Sequence, residues 1–366
     1  MDFSLNEDQL AVRDLARQLL GGAAPAAGAG SPTGDAWLDA PLWRHLGEAG
    51  LLGIALPEEV GGAGRALTDL ALAAEEAGRS LARVPLAACV AGAALPVARF
   101  GGPALRDRLL PGVVAGTHVL TSAFAEPFAD DPMAPATVAA PDGDGWLLSG
   151  TRTAVPLARQ AAAVLVPAQT AVGTVVVAMV DPHAPGVTLH DEATSSGEPA
   201  ATMVLDGVAV GSADVLPGEA LPFAYQRYLL TLCATELGIA QEALQRAAAH
   251  TSAREQFGRP LATFQAVAVR LANGFIDVQA MQSTLWQALW LLDEGRDAGE
   301  QVITAAFWAA EGGERVLTSA VHLHGGIGVD TDYPLHRWFL ASKVVELSLG
   351  GASWQLDRLG RALAAR

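Results

Sequence analysis

The period of the hydrophobic pattern changes twice along the chain. Up to about residue 116, apolar positions recur at helical spacing. Leu10, Val12, Leu15 and Leu19-Leu20 form one stripe behind Asn6. Asn6 is a natural N-cap, and Glu7 and Asp8 fall in the first turn, where the helix dipole favours acids. This predicts a helix over 7–20. Further helices are expected around 37–49, 67–80, 84–100 and 103–115. Residues 21–34, rich in Gly, Ala and Pro, predict a loop. Residues 51–64 carry Pro57 and four glycines and predict a turn-rich connector.

From about 117 the helical period disappears. The runs 119–121, 146–148, 163–166, 174–180 and 203–205 are short and β-branched or apolar, with Pro, Gly and Asp between them. They predict strands of a small β domain. From 221 onward long helices return. The segment 264–292 is apolar nearly all round, with Trp286 and Trp290 one turn apart. Such a helix is expected to be buried on most sides, and in a bundle to meet another subunit too. The expected fold is α+β and mainly α: a helical domain over 1–116, a β domain over 117–220 and a four-helix bundle over 221–366.

Two of these helices, over 221–250 and 264–292, flank Arg254-Glu255-Gln256-Phe257-Gly258-Arg259-Pro260-Leu261-Ala262-Thr263-Phe264-Gln265. Gly258 admits positive φ and Pro260 has no N–H to continue a helix, so the stretch is a break. A guanidinium there suits bidentate contact with a phosphate. The plainer reading is a helix hairpin with an exposed arginine.

Charge and composition narrow the partners. At 366 residues, two or three domains are expected. A formal net charge of −16 opposes nucleic-acid binding, so any anionic ligand needs local cations. Cys89 and Cys233, the only cysteines, suit a reducing compartment, and the expected location is the cytoplasm. The first residues lack a basic, then apolar, leader, and no apolar run predicts a membrane span. His322 and His324 have no Cys or acid beside them at ligand spacing, so no metal site is expected.

Two segments resemble the acyl-CoA dehydrogenase family. One is R-x-x-F-G-x-P-x-x-x-F-Q, from Arg254 to Gln265. The other begins 68 residues later (322 − 254) and reads His322-Leu323-His324-Gly325-Gly326-Ile327-Gly328-Val329-Asp330-Thr331-Asp332-Tyr333-Pro334. It is similar to the family's Gly-Gly-x-Gly followed by x-T-[ED]-Y-P. Leu56-Pro57 and Gly61-Gly62 match the family's L-P-x-x-x-G-G. The resemblance runs from end to end and implies the three-part fold, FAD as cofactor, an acyl thioester of CoA or a carrier protein as substrate, and an electron-transfer protein as acceptor. It also implies that Arg254 meets the pyrophosphate, with Gln256 and Phe257 beside the cofactor. Leu261, Phe264 and Gln265 would line the adenosine side, and His322, Gly325 and Gly326 would reach the flavin from another subunit.

The catalytic base is where the sequence leaves the family's pattern. After Ser342-Lys343 the usual glutamate position holds Leu349, and the threonine two residues on is Gly351. The alternative base position, 26 residues before Arg254, holds Tyr228. Glu346 lies one turn short of the first position, and Glu236 two turns past the second. In the β domain, T-E-P-G-x-G-S-D becomes Ala125-Glu126-Pro127-Phe128-Ala129-Asp130-Asp131-Pro132, and W-I-T becomes Ala154-Val155-Pro156. The resemblance therefore implies a flavoprotein subunit for α,β-desaturation of an acyl thioester. Its base would come from a homologous partner in a heterotetramer, as in actinobacterial breakdown of steroid side chains. Two alternatives are a self-sufficient homotetrameric dehydrogenase with a non-standard base and a scaffold of the same fold without redox chemistry.

Overall fold

The structure is a computed structural model, and it describes residues 4–23, 32–129 and 131–365. Within the expected loop, residues 24–31 lie outside the described residues, as does Asp130. In chain order the elements begin with α1 (Glu7–Leu20), α2 (Ala40–Glu48) and α3 (Leu67–Ser80). A wide π-helical stretch, Leu86–Ala94, runs into α4 (Leu95–Phe100), and α5 (Pro103–Val114) follows. Eight strands come next: β1 (Leu120–Ser122), β2 (Val138–Asp142), β3 (Gly145–Pro156), β4 (Ala163–Thr170), β5 (Val175–Val180), β6 (Val187–Ala193), β7 (Pro199–Val210) and β8 (Val215–Pro217). The chain then forms α6 (Ala220–Ala253), a small hairpin of β9 (Glu255–Gln256) and β10 (Arg259–Pro260), and four more helices. These are α7 (Gln265–Asp293), α8 (Gly299–His324), α9 (Leu335–Ser348) and α10 (Ala352–Ala364). The chain is mainly helical with a β region in the middle, as the pattern predicts.

These elements form two compact units, one of residues 1–31, 67–82 and 229–366, the other of 32–66 and 83–228. In the second, the large sheet has the order β6-β7-β3-β2-β4-β5-β8, with β1 parallel to β4. Its apolar face buries Leu148, Val155, Val164, Val166, Met203 and Leu205. Strands β2, β6 and β8 go unpredicted by the sequence. β2 is Val-Ala-Ala-Pro-Asp and mostly exposed, and β6 alternates polar residues along a sheet edge. Their neighbours, rather than their own propensity, make them strands.

A buried ion pair crosses this unit. Arg152 Nη2 lies 3.0 Å from Glu126 Oε1, and both side chains are almost wholly enclosed. Glu126 also accepts from Ala136 N–H, Thr137 N–H and the Thr137 hydroxyl at 2.6–2.7 Å. Its charge is thus fully satisfied, and the loop over 126–137 is tied to β3.

In the first unit α7 packs on α8, α8 on α9 and α10, and α3 on both α1 and α7. Asn6 caps α1 in a reciprocal box: its side chain accepts from Gln9 N–H at 2.8 Å, and its own N–H donates to Gln9 Oε1 at 3.1 Å. Asp293, at the end of α7, accepts from Leu67 N–H at 2.9 Å and from the Thr68 hydroxyl at 2.5 Å, so it caps α3 from a distant part of the chain. Glycines set the closeness of α3 to the part of α6 in this unit. A Cβ on Gly78 would lie 2.0 Å from Thr235 O, and one on Gly238 would lie 1.9 Å from Glu75 O.

The segment over 264–292 is only partly buried within this chain. Its second half buries Met281, Leu285, Leu289 and Leu291, while Val269, Phe275 and Ile276 of the first half stay 51–62% exposed. The apolar surround seen in sequence is not matched by packing within the chain itself.

Gly238→Ala places a methyl against backbone, which no side-chain motion relieves. It should lower stability by about 1–3 kcal/mol, read as a fall in Tm, whereas Gly360→Ala, with open space around its Cα, should leave Tm unchanged or raise it.

Candidate functional site

The turn between α6 and α7 is built by conformations its residues resist. Gln256 pairs with Arg259, and Glu255 with Pro260, across a two-residue loop. Both loop residues have positive φ, Phe257 at 54° and Gly258 at 78°, the pattern of a type I′ hairpin turn. Glycine adopts this freely, whereas for phenylalanine it costs about 1 kcal/mol or more. Phe257 is also 91% exposed. Strain and exposed apolar area together mark a position held for something other than this chain's stability. Phe264 meets the edge of Phe257 at 6.2 Å, and the Arg259 guanidinium sits 4.0 Å over the Phe264 ring.

Arg254 begins this turn. Its N–H closes the last bond of α6 on His250 O at 2.8 Å, and its carbonyl accepts from Leu261 N–H at 2.9 Å. Its backbone is thereby fixed, while its guanidinium is exposed and meets no acceptor among the described residues. Gln256 donates to its neighbour's carbonyl at 2.7 Å, Leu261 is half-buried, and Gln265 is exposed at the first position of α7.

The second motif comes to the same place. His324, in the last turn of α8, stacks on His250 of α6 with ring centroids 4.3 Å apart and planes at 23°. His324 Nδ1 lies 2.8 Å from Ala320 O. A carbonyl only accepts, so Nδ1 carries the hydrogen. Nε2 is then the bare nitrogen, and it accepts from the Tyr333 hydroxyl at 3.2 Å. Two motifs 68 residues apart (322 − 254) thus converge at one end of the bundle. His322, Gly325 and Gly326 are exposed beside them, Gly325 has φ 66°, and a Cβ on either glycine would meet open space. His250 lies outside both sequence motifs, whereas Tyr333 lies within the second. The i,i+4 spacing of His250 and Arg254 was the available signal.

These features fit the diphosphate and adenosine part of FAD. A cation with no internal partner, an exposed aromatic ring and unobstructed glycine backbone are what such a group requires.

The positions expected for a base have other surroundings. Leu349 is 0% exposed; its N–H bonds Val345 O at 2.8 Å and its carbonyl accepts from buried Gln355 at 2.6 Å. Tyr228, in the other unit, is buried with its ring 5.1 Å from Phe124. Glu346 pairs with Lys343 at 2.7 Å on the same helix. In the altered β-domain loop, Asp131 accepts from Met133 N–H, and Phe128 is fully exposed with φ 58°.

Glu236 has a strongly perturbed carboxyl. It is 1% exposed inside the helical unit, where its Oε1 accepts from the Ser342 hydroxyl at 2.6 Å and its Oε2 has no hydrogen-bond partner among the described residues. Gly313 makes room for it, since a Cβ there would lie 2.2 Å from Oε1. Burial pushes its pKa well above the usual carboxylate range, the Ser342 bond opposes this, and Glu346 adds to it.

Comparison with known proteins agrees with the motifs. The family profile "Acyl-CoA dehydrogenase, N-terminal domain" matches residues 6–117, and "Acyl-CoA dehydrogenase, C-terminal domain" matches residues 223–364. Acyl-CoA dehydrogenase FadE27 of Mycobacterium tuberculosis is 41% identical over 89% of this chain and 88% of its own. Among solved structures, the ChsE4-ChsE5 complex from Mycobacterium tuberculosis has a chain with TM-score 0.93 and 37% identity over the whole of both chains. A Tcur3481-Tcur3483 steroid ACAD variant has TM-score 0.91 and 43% identity over 99% of each. The chain belongs to the acyl-CoA dehydrogenase family, whose members are flavin-dependent oxidoreductases of CH–CH bonds. No helix among the described residues is long and apolar enough to cross a membrane, and no cluster of three or more His, Cys, Asp or Glu there could hold a metal ion.

Phe257→Asn creates Asn-Gly, the favoured type I′ pair, so it should raise Tm by roughly 1–3 °C while weakening retention of FAD by the purified protein. Glu236 gives a separate prediction in pH. Between the ordinary carboxylate pKa and its raised native value, the unfolded chain has lost a proton that the native chain keeps. Stability therefore falls as pH rises through that window, by at most about 1.4 kcal/mol per pH unit. Glu236→Gln should remove this slope, so its Tm advantage over the parent should grow between pH 5 and pH 8.

Proposed function

We propose that this chain is the base-less subunit of a mixed acyl-CoA dehydrogenase that desaturates the α,β bond of an acyl thioester. The observation that carries the reading is the contrast between two positions. Leu349 is a wholly buried leucine where the family resemblance puts the catalytic glutamate, while the Arg254 turn stays open and unpaired.

In this reading Arg254 takes the FAD pyrophosphate through its guanidinium, and Phe257 covers the adjoining cofactor surface. Gln256 stands beside Phe257 at the cofactor, Leu261, Phe264 and Gln265 line the adenosine side, and His322, Gly325 and Gly326 offer side chain and backbone to a neighbouring subunit's flavin. FAD, when bound, supplies the acceptor for the substrate's β-hydride. No group of this chain takes the α-proton. Leu349 has no side-chain acceptor, Glu346 is held by Lys343, and Tyr228 is buried against the Phe124 ring. The proton passes to a carboxylate on a homologous partner subunit, and an electron-transfer protein reoxidises the flavin. The heteromeric ChsE4-ChsE5 relative and the steroid ACAD support both the mixed assembly and a bulky steroid-derived or fatty acyl group as substrate. The segments 1–116, 117–220 and 221–366 are proposed as its three functional parts, and the cytoplasm as its location.

The test is acyl-CoA oxidation by the chain alone and after co-expression with a homologue bearing glutamate at the position of Leu349. Loss of a general base costs on the order of 10²–10⁴-fold, so the chain alone should be slower than the pair by that factor. Rapid turnover by the chain alone would overturn the reading.

A further inference from the structure

We infer that His250 is a second, proton-gated ligand for the phosphates that Arg254 receives. The inference rests on the phosphate reading of Arg254 and adds to it a residue and a pH dependence. His250 lies in the last turn of α6, and Arg254 directly follows the helix with its N–H bonded to His250 O at 2.8 Å, so the two side chains are one turn apart and Arg254's charge bears on the imidazole. An anion gripped by Arg254 is therefore within reach of the His250 ring. The two imidazoles of the stack differ in what they can do. His324 has spent both nitrogens, one on Ala320 O and one on the Tyr333 hydroxyl. His250 is half-exposed and makes no hydrogen bond through its ring among the described residues. It is the imidazole of the pair with donors to give.

The charges around the stack decide when it gives them. Arg246 and Arg254 bear on it from α6, His324 from α8, and the Tyr333 hydroxyl from the segment after α8. No carboxylate among the described residues pairs with either ring. Burial and then Arg254 hold His250 below the ordinary imidazole range. Burial does the same for His324, with the Ala320 carbonyl opposing and His250 and Arg246 adding. Without an anion the stack is neutral at pH 7. A diphosphate on Arg254 offsets that arginine's field and attracts positive charge, so its arrival draws one proton onto His250. The protonated ring then donates to a phosphate oxygen, while its other face still rests on neutral His324.

The test is calorimetric titration of the flavin-depleted full-length chain with FAD and with ADP-ribose, whose internal diphosphates do not titrate near neutrality. Each titration is run in Pipes and in imidazole buffer. Binding should take up to one proton, seen as a heat that depends on the buffer. Affinity should weaken from pH 6 to pH 8, by at most tenfold per pH unit. His250→Gln should lose the proton uptake and the pH dependence, binding at all pH values about as the parent does at pH 8. Buffer-independent heat in the parent overturns the inference while leaving Arg254 as a phosphate ligand, provided Arg254→Gln abolishes binding. Proton uptake that persists in His250→Gln overturns it as well. No saturable heat from either compound overturns the Arg254 reading and this inference together.

Discussion

The reversal of the chain between α6 and α7 is the constraint on which the site depends. Two long helices have to be joined within eleven residues (265 − 254), and a hairpin with two left-handed residues does it. Glycine at the second position costs nothing, but phenylalanine at the first is strained and bare. Because Leu261 N–H anchors the far side of the loop on Arg254 O, the arginine's backbone cannot drift, although its side chain is free. The helix end thus presents a positioned cation and an aromatic ring, and its geometry is set by main-chain bonds that substitution of the side chains would leave in place.

The rest of the chain spends its carboxylates selectively. A protein with net charge −16 has carboxylates to spare. It uses them on Arg17 through Glu76, on Arg152 through Glu126 and on Arg315 through Asp277. Where a carboxylate is buried without an ion-pair partner, as Glu236 is, burial pushes its pKa up, against the opposing pull of the Ser342 hydroxyl and Lys343. Arg254, like Arg44, Arg99, Arg259 and Arg270, makes no ion pair with a carboxylate among the described residues. An arginine without an ion pair among the described residues, at a helix end beside two stacked imidazoles that also lack an acid, is the feature on which the proposed anion site rests.

Much of this was legible along the sequence because it depends on local chemistry. The N-cap at Asn6, the run of α3, the break at Gly258 and Pro260 and the strands of β4 and β5 follow from residues close in sequence. The family motifs located both halves of the candidate site. Less legible were β2 and β6, whose own residues are indifferent strand formers, and the division of the π-helical stretch from α4, which the pattern presented as one helix. The apolar circumference of α7 also promised burial that the chain does not provide for Phe275 and Ile276.

The sequence by itself determined the order of helical and β regions, the turn chemistry around Arg254 and the absence of a glutamate at residue 349. Those are properties of single positions and of short-range periodicity, which a chain carries whether folded or not. Only the tertiary structure decided that His324 lies on His250 beneath that turn, that Leu349 is enclosed, and that Glu236 sits against Gly313 with one oxygen unpaired. Each of these depends on how closely separate helices approach, and that distance is fixed by small residues and caps contributed from remote parts of the chain.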